Sequence, residues 1–138
     1  FAYVKQDTRD LAKHYGVEFK FPAVFPLRSV KPMRGAFAAA EKGKLTEYTH
    51  EMFRLYWTKG WDLGEDYVLK EAVAGIGIDP EWFIARIGEQ EIKGRLREET
   101  SKAAARGAFG APTIFIGGKM FWGNDRLGFV EVYLKENP

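Results

Sequence analysis

The sequence predicts an α/β fold, and three observations carry that reading. Residues Pro112–Trp122 form two short apolar runs, PTIFI and KMFW, joined by Gly117-Gly118, which is the pattern of a β-hairpin. Residues 17–21 alternate apolar and charged side chains, as a short extended segment does. From about Pro32 to Arg106, helical spacing runs almost without a break.

In chain order, residues 2–14 predict a helix with Val4, Leu11 and Tyr15 on one face and Gly16 as its stop. Pro22 ends the extended segment, and Pro22 and Pro26 mark 22–31 as a loop. Arg28, Lys31 and Arg34 cluster where the next helix begins. Two readings fit them, a solvated helix entry or a patch that attracts a carboxylate-bearing substrate.

Pro32 is tolerated in a first helical turn, and Met33–Ala40 is rich in small helix formers. Gly43 breaks the pattern before a helix over Thr46–Lys59 with Thr46 as its cap. Tyr48, Met52 and Tyr56, with Phe53 and Trp57, give it a broad aromatic face of the kind that packs as core. Glu65–Ala74 is the next helix. Asp79-Pro80-Glu81 is a strong helix start that turns Trp82, Phe83 and Ile87 inward. Glu89–Arg106 follows, with Ile92, Leu96 and Ala103 on one side. Gly123-Asn124-Asp125 then opens a last helix to Lys135, with Asn124 and Asp125 as capping candidates and Leu127, Val130 and Leu134 inside.

With 138 residues, the chain has enough apolar content for a proper core. A net charge of +2 without a basic stripe indicates neither nucleic acid nor an anionic membrane as partner. No apolar run approaches the roughly 20 residues that span a bilayer. Cysteine is absent, so this stretch supplies no disulfide, thiolate ligand, cysteine nucleophile or dithiol redox pair. That is compatible with a reducing compartment, and a cytoplasmic location is expected. Only two histidines occur, His14 and His50, neither with a partner in sequence, and no metal site is expected. No nucleophile elbow, phosphate-binding loop or metalloprotease helix motif is present.

Two features of Gly107–Leu127 go beyond a hairpin. Proline rarely begins a central strand, so Pro112 marks an edge, a bulge or a cis peptide. A cis Ala111–Pro112 bond would turn the Ala111 amide and carbonyl outward, where an extended peptide can pair. The Gly-Asn-Asp helix start adds backbone N–H groups that favour a carboxylate. Side by side, the two would suit a small anionic peptide.

The same residues carry a family resemblance. GAFGAPTIFI followed by FWGNDRL resembles the C-terminal signature of DsbA-like thioredoxin-fold proteins, in particular 2-hydroxychromene-2-carboxylate isomerases and kappa-class glutathione transferases. REETSKAAARGAFGAP and the opening FAYVKQDTRDLAKHYGVEFKFP extend the likeness over most of the chain. It implies a thioredoxin-like α/β frame made of residues 1–31 and 89–138, with an all-helical insert over 32–88. It also implies that the first strand, helix and strand of the frame, and with them the serine that activates the glutathione sulfur, lie upstream of this sequence.

By the same resemblance, glutathione is the cofactor. Ala111 and Pro112 meet its cysteinyl unit, and Asn124 and Asp125 meet its γ-glutamyl end. For Asp125, a plain cap and a glutathione contact both fit and can coexist. The implied activity is a glutathione-dependent isomerase in aromatic compound catabolism, working by reversible addition of glutathione to a small aromatic substrate, as a homodimer. The FWGNDRL wording favours it over the kappa-class pattern, which more typically has serine where Asn124 stands. The alternatives are a kappa-class-like transferase, a DsbA-like dithiol oxidoreductase if a C-x-x-C lies upstream, and a thioredoxin-fold module without turnover.

Overall fold

The computed structural model describes residues 2–138. Seven α-helices and one two-stranded antiparallel sheet follow in the order α1 (Ala2–Tyr15), α2 (Val30–Glu41), α3 (Leu45–Arg54), α4 (Asp66–Gly75), α5 (Pro80–Gly88), α6 (Gln90–Ala105), β1 (Thr113–Ile116), β2 (Lys119–Trp122) and α7 (Leu127–Glu136). A π-helical turn, Leu55–Lys59, continues α3, and a 3₁₀ turn, Asn124–Arg126, precedes α7. The α/β expectation holds. The chain divides into two compact units, residues up to Leu96 and Arg97–Pro138.

In the first unit, α2 to α5 and the π turn share one core. Tyr48, Leu55, Leu69, Val73 and Phe83 are its large buried side chains, closed by Ala38, Ala39, Ile78 and Ile87. Full burial of a side chain such as Phe83 contributes about 1.5–3 kcal/mol. The start of α5 is set by local chemistry. Asp79 sits at the N-cap, its carboxylate accepts from the Trp82 N–H at 2.7 Å, and Pro80 occupies the first turn. Glu41, at the end of α2, accepts from Arg86 at 2.7 Å and Arg95 at 3.0 Å, tying three helices together.

Several local expectations are corrected. Among the described residues, the expected extended segment at 17–21 pairs with no strand. The Lys20 N–H bonds instead to the Trp57 carbonyl, and Phe19 stacks on the Trp57 ring at 5.7 Å. Val4, Leu11 and Tyr15 of α1 are exposed, and Ala12 is its buried residue. Thr46 lies inside α3, whose N-cap position is Lys44 with no side-chain capping bond. The helix predicted over 46–59 changes pitch at Leu55. Among the described residues, no helix is long and apolar enough to cross a membrane.

Candidate functional site

In the second unit, the hairpin sets the geometry. β1 and β2 pair from Thr113↔Trp122 to Ile116↔Lys119. Gly117 and Gly118 both take left-handed backbone, with φ of +53° and +79°, in the two-residue turn whose twist matches the strands. One step beyond the open end of the ladder, the Gly123 N–H donates to the Pro112 carbonyl at 3.0 Å. That single bond sets Ala111-Pro112 beside Gly123-Asn124-Asp125, two motifs well separated in sequence.

The Ala111–Pro112 peptide is cis, one of the three readings that Pro112 allows in the sequence. Ala111 is exposed and lies outside the paired register. The Trp122 indole lies against Gly110, at a distance that leaves no room for a side chain there, and its ring meets Phe109 at 5.0 Å. Trp122 is half exposed, a wall residue rather than core.

Asn124 and Asp125 are not helix caps. The 3₁₀ turn delays α7 to Leu127 and puts Arg126 at its N-cap position, and neither helix start has a side-chain capping bond. Asp125 Oδ1 instead occupies the space a side chain on Gly123 would take, and Oδ2 lies 3.6 Å from the Arg126 guanidinium. The Asp125 side chain is 67% exposed. Its carboxylate is therefore open to a cationic group, and the Asn124 and Asp125 N–H groups belong to the first turn, where helices leave donors unpaired. Of the inward set predicted for the last helix, Val130 is buried, while Leu127 and Leu134 are exposed.

The first unit holds a second candidate that the sequence does not reveal. A cavity of about 380 Å³ opens between α2, α3, the π turn and the loop at Phe25–Leu27. Tyr48, Met52 and Tyr56 are buried as predicted, but Phe53 is 61% exposed and forms a wall of the cavity with Trp57. Tyr48 donates to the Pro32 carbonyl and Tyr56 to the Val24 carbonyl, both at 2.9 Å. Burial pushes the Tyr48 phenol well above the usual range. A second cis peptide, Phe25–Pro26, lies in the adjoining loop, and nothing in the sequence reading anticipated it. The signal available was Phe53 itself, an aromatic off the line of Tyr48, Met52 and Tyr56.

Two members of the basic cluster sit in different surroundings. Lys31 is held by Asp66 at 2.7 Å and by the Gly64 carbonyl at 3.2 Å. The Arg34 Nε is buried without a hydrogen-bond partner. His14 and His50 are exposed. Among the described residues, no cluster of three or more histidine, cysteine or acidic side chains is placed to hold a metal ion.

A cis-proline ahead of a short hairpin, closed by a terminal helix, defines a thioredoxin-type protein. The profile of the DSBA-like thioredoxin domain matches residues 1–135, and the chain belongs to that family. It is 29% identical over 128 residues to a 2-hydroxychromene-2-carboxylate isomerase of Sphingobium xenophagum, covering 93% of this chain and 65% of that protein. It is 30% identical over 131 residues to a protein of the same name from Pseudomonas putida, covering 94% of this chain and 63% of that one. A solved 2-hydroxychromene-2-carboxylate isomerase superposes with a TM-score of 0.89 at 27% identity, over 98% of this chain and 66% of that one. DsbA of Pseudomonas aeruginosa shares the fold, with a TM-score of 0.64 at 22% identity, over 83% of this chain and 60% of its own. The chain thus spans somewhat less than two thirds of the isomerases it matches.

Proposed function

We propose that the protein is a glutathione-dependent isomerase of the 2-hydroxychromene-2-carboxylate type, acting on a small aromatic substrate in aromatic compound catabolism. The observation that carries this reading is the Gly123–Pro112 bond, which sets an exposed peptide edge beside an exposed carboxylate. Glutathione is an extended anionic peptide with an ammonium group at one end, and the residues present fit it. Ala111 and Pro112 offer backbone to its cysteinyl unit. The Asp125 carboxylate receives its ammonium group, and the Asn124 and Asp125 N–H groups receive the neighbouring carboxylate.

Bound glutathione supplies a thiol that adds reversibly to the substrate and is recovered unchanged. The chain's own residues bind and orient it, which converts an encounter in solution into a held geometry. None of them is assigned a proton transfer. Names of relatives support the isomerase, since fold alone does not fix a reaction.

Calorimetry with glutathione tests the reading. Saturable binding is expected, and Asp125→Ala is expected to weaken it about tenfold, about 1.4 kcal/mol. Because Asp125 makes no capping bond, thermal stability should hardly move. Unchanged affinity in Asp125→Ala, or a loss of stability as large as the loss of binding, would remove Asp125 from the site. Product analysis then separates the reactions, because an isomerase returns glutathione and a transferase consumes it.

A further inference from the structure

The cavity of the first unit has the size of a small-molecule site, and its lining is almost wholly apolar. Its walls are Phe25, Phe53 and Trp57, with Met33 and Met52 beside them. Flat ring faces and polarisable thioethers favour an aromatic guest over an aliphatic one. No charged side chain lines the cavity, so a ligand placing a carboxylate inside would leave it without a partner.

The polar groups at the rim are unequal. Tyr48 and Tyr56 spend their hydroxyl protons on the Pro32 and Val24 carbonyls, and Thr49 spends its own on the Leu45 carbonyl. Ser29 also lines the cavity, at the N-cap of α2, where its side chain makes no capping bond. Among these four hydroxyls, that of Ser29 is thus the one shown without a hydrogen bond, left to orient a guest. The π turn is what carries Trp57 to the wall, and such turns recur where a helix is adapted to a site.

We infer that this cavity binds a flat, uncharged aromatic molecule carrying one hydrogen-bonding group, of the size and kind of a two-ring phenol. The inference stands on the lining and does not draw on the glutathione reading.

The three methionines provide the test, because Met33 and Met52 line the cavity and Met120 lies on the hairpin of the other unit. The protein, labelled at the methionine methyl carbons, is titrated with 2-naphthol and, separately, with its saturated counterpart 2-decalol, with no glutathione present. Saturable shifts of the Met33 and Met52 methyls with 2-naphthol, and an unmoved Met120, are expected. Phe53→Ala removes a mostly exposed wall ring and should weaken that binding about tenfold while the remaining spectrum is kept. Equal shifts at all three methyls would mean adsorption to apolar surface and overturn the proposal. Equal binding of 2-decalol would overturn the aromatic class. Met33 and Met52 shifts that follow protein concentration without ligand would assign the face to a second copy of the chain and overturn it as well.

Discussion

A Cβ on Gly35 would run into the Tyr48 hydroxyl and the Phe83 ring, which pack directly on the α2 backbone. This contact is what lets Tyr48 reach the Pro32 carbonyl from the neighbouring helix. Replacing glycine by alanine inside a helix normally gains up to about 1 kcal/mol. Here the added methyl overpacks two fully buried rings, a change that costs about 1–3 kcal/mol. Gly35→Ala is therefore expected to lower the urea midpoint with an unchanged slope. A midpoint equal to or above that of the parent would show that Tyr48 and Phe83 yield to the methyl. Asp125 makes the opposite case at this scale, since its side chain supports no helix and its removal should leave the fold intact.

The ends of α2, α5 and α6 meet in a charge network rather than in the core. Arg86 bonds Glu41, Glu89 and Glu91, and Arg95 adds a second bond to Glu41 while its guanidinium lies over the Phe37 ring at 4.8 Å. The hydrogen bond from Arg86 holds the Glu41 carboxyl below the usual carboxylate range. A carboxylate whose pKa falls on folding contributes stability above its unfolded value, about 4.3, and loses that contribution as pH falls through the folded value. Glu41→Gln should therefore melt about 2–4 °C below the parent at pH 7, with the gap closing as pH drops below about 4. Thermal melts across that range decide it, and a gap independent of pH would mean that Glu41 acts through packing alone. At this scale the sequence was legible wherever the signal was local. The Asp79-Pro80 start and the Gly117-Gly118 hairpin depend on a few adjacent residues, and both appear as read. At 17–21, alternation specifies two faces but not a partner strand. Phe19 and Phe21 found Trp57 instead. The π turn was hidden because helical spacing does not record a change of pitch, and Phe53 was read as core for the same reason.

Across the whole chain, burial is uneven. The first unit holds a contiguous core, whereas Val130 is the one buried side chain among Arg97–Pro138. A two-stranded hairpin is marginal in water without a covering apolar layer. The second unit nevertheless carries every glutathione contact proposed here, and regions that bind ligands are often drawn from the less stable end of a protein. Its proline and hairpin could be read from sequence because each motif is short, whereas the helix start was displaced to Leu127 by the 3₁₀ turn. Their adjacency could be anticipated because the hairpin register places Pro112 opposite Gly123. The cavity could not, since it depends on how four separate segments converge. Amide hydrogen exchange should show this division directly. Amides of α4 and α5 are expected to exchange slowest, and those of Thr113–Ile116 and the start of α7 much faster. Saturating glutathione should slow the hairpin and α7 selectively, by a factor that grows with ligand concentration as binding to the folded form requires. Hairpin amides as protected as those of α4 without ligand would show that burial is a poor guide to stability in this chain. Protection that rises equally in both units would place glutathione away from Ala111 and Asp125.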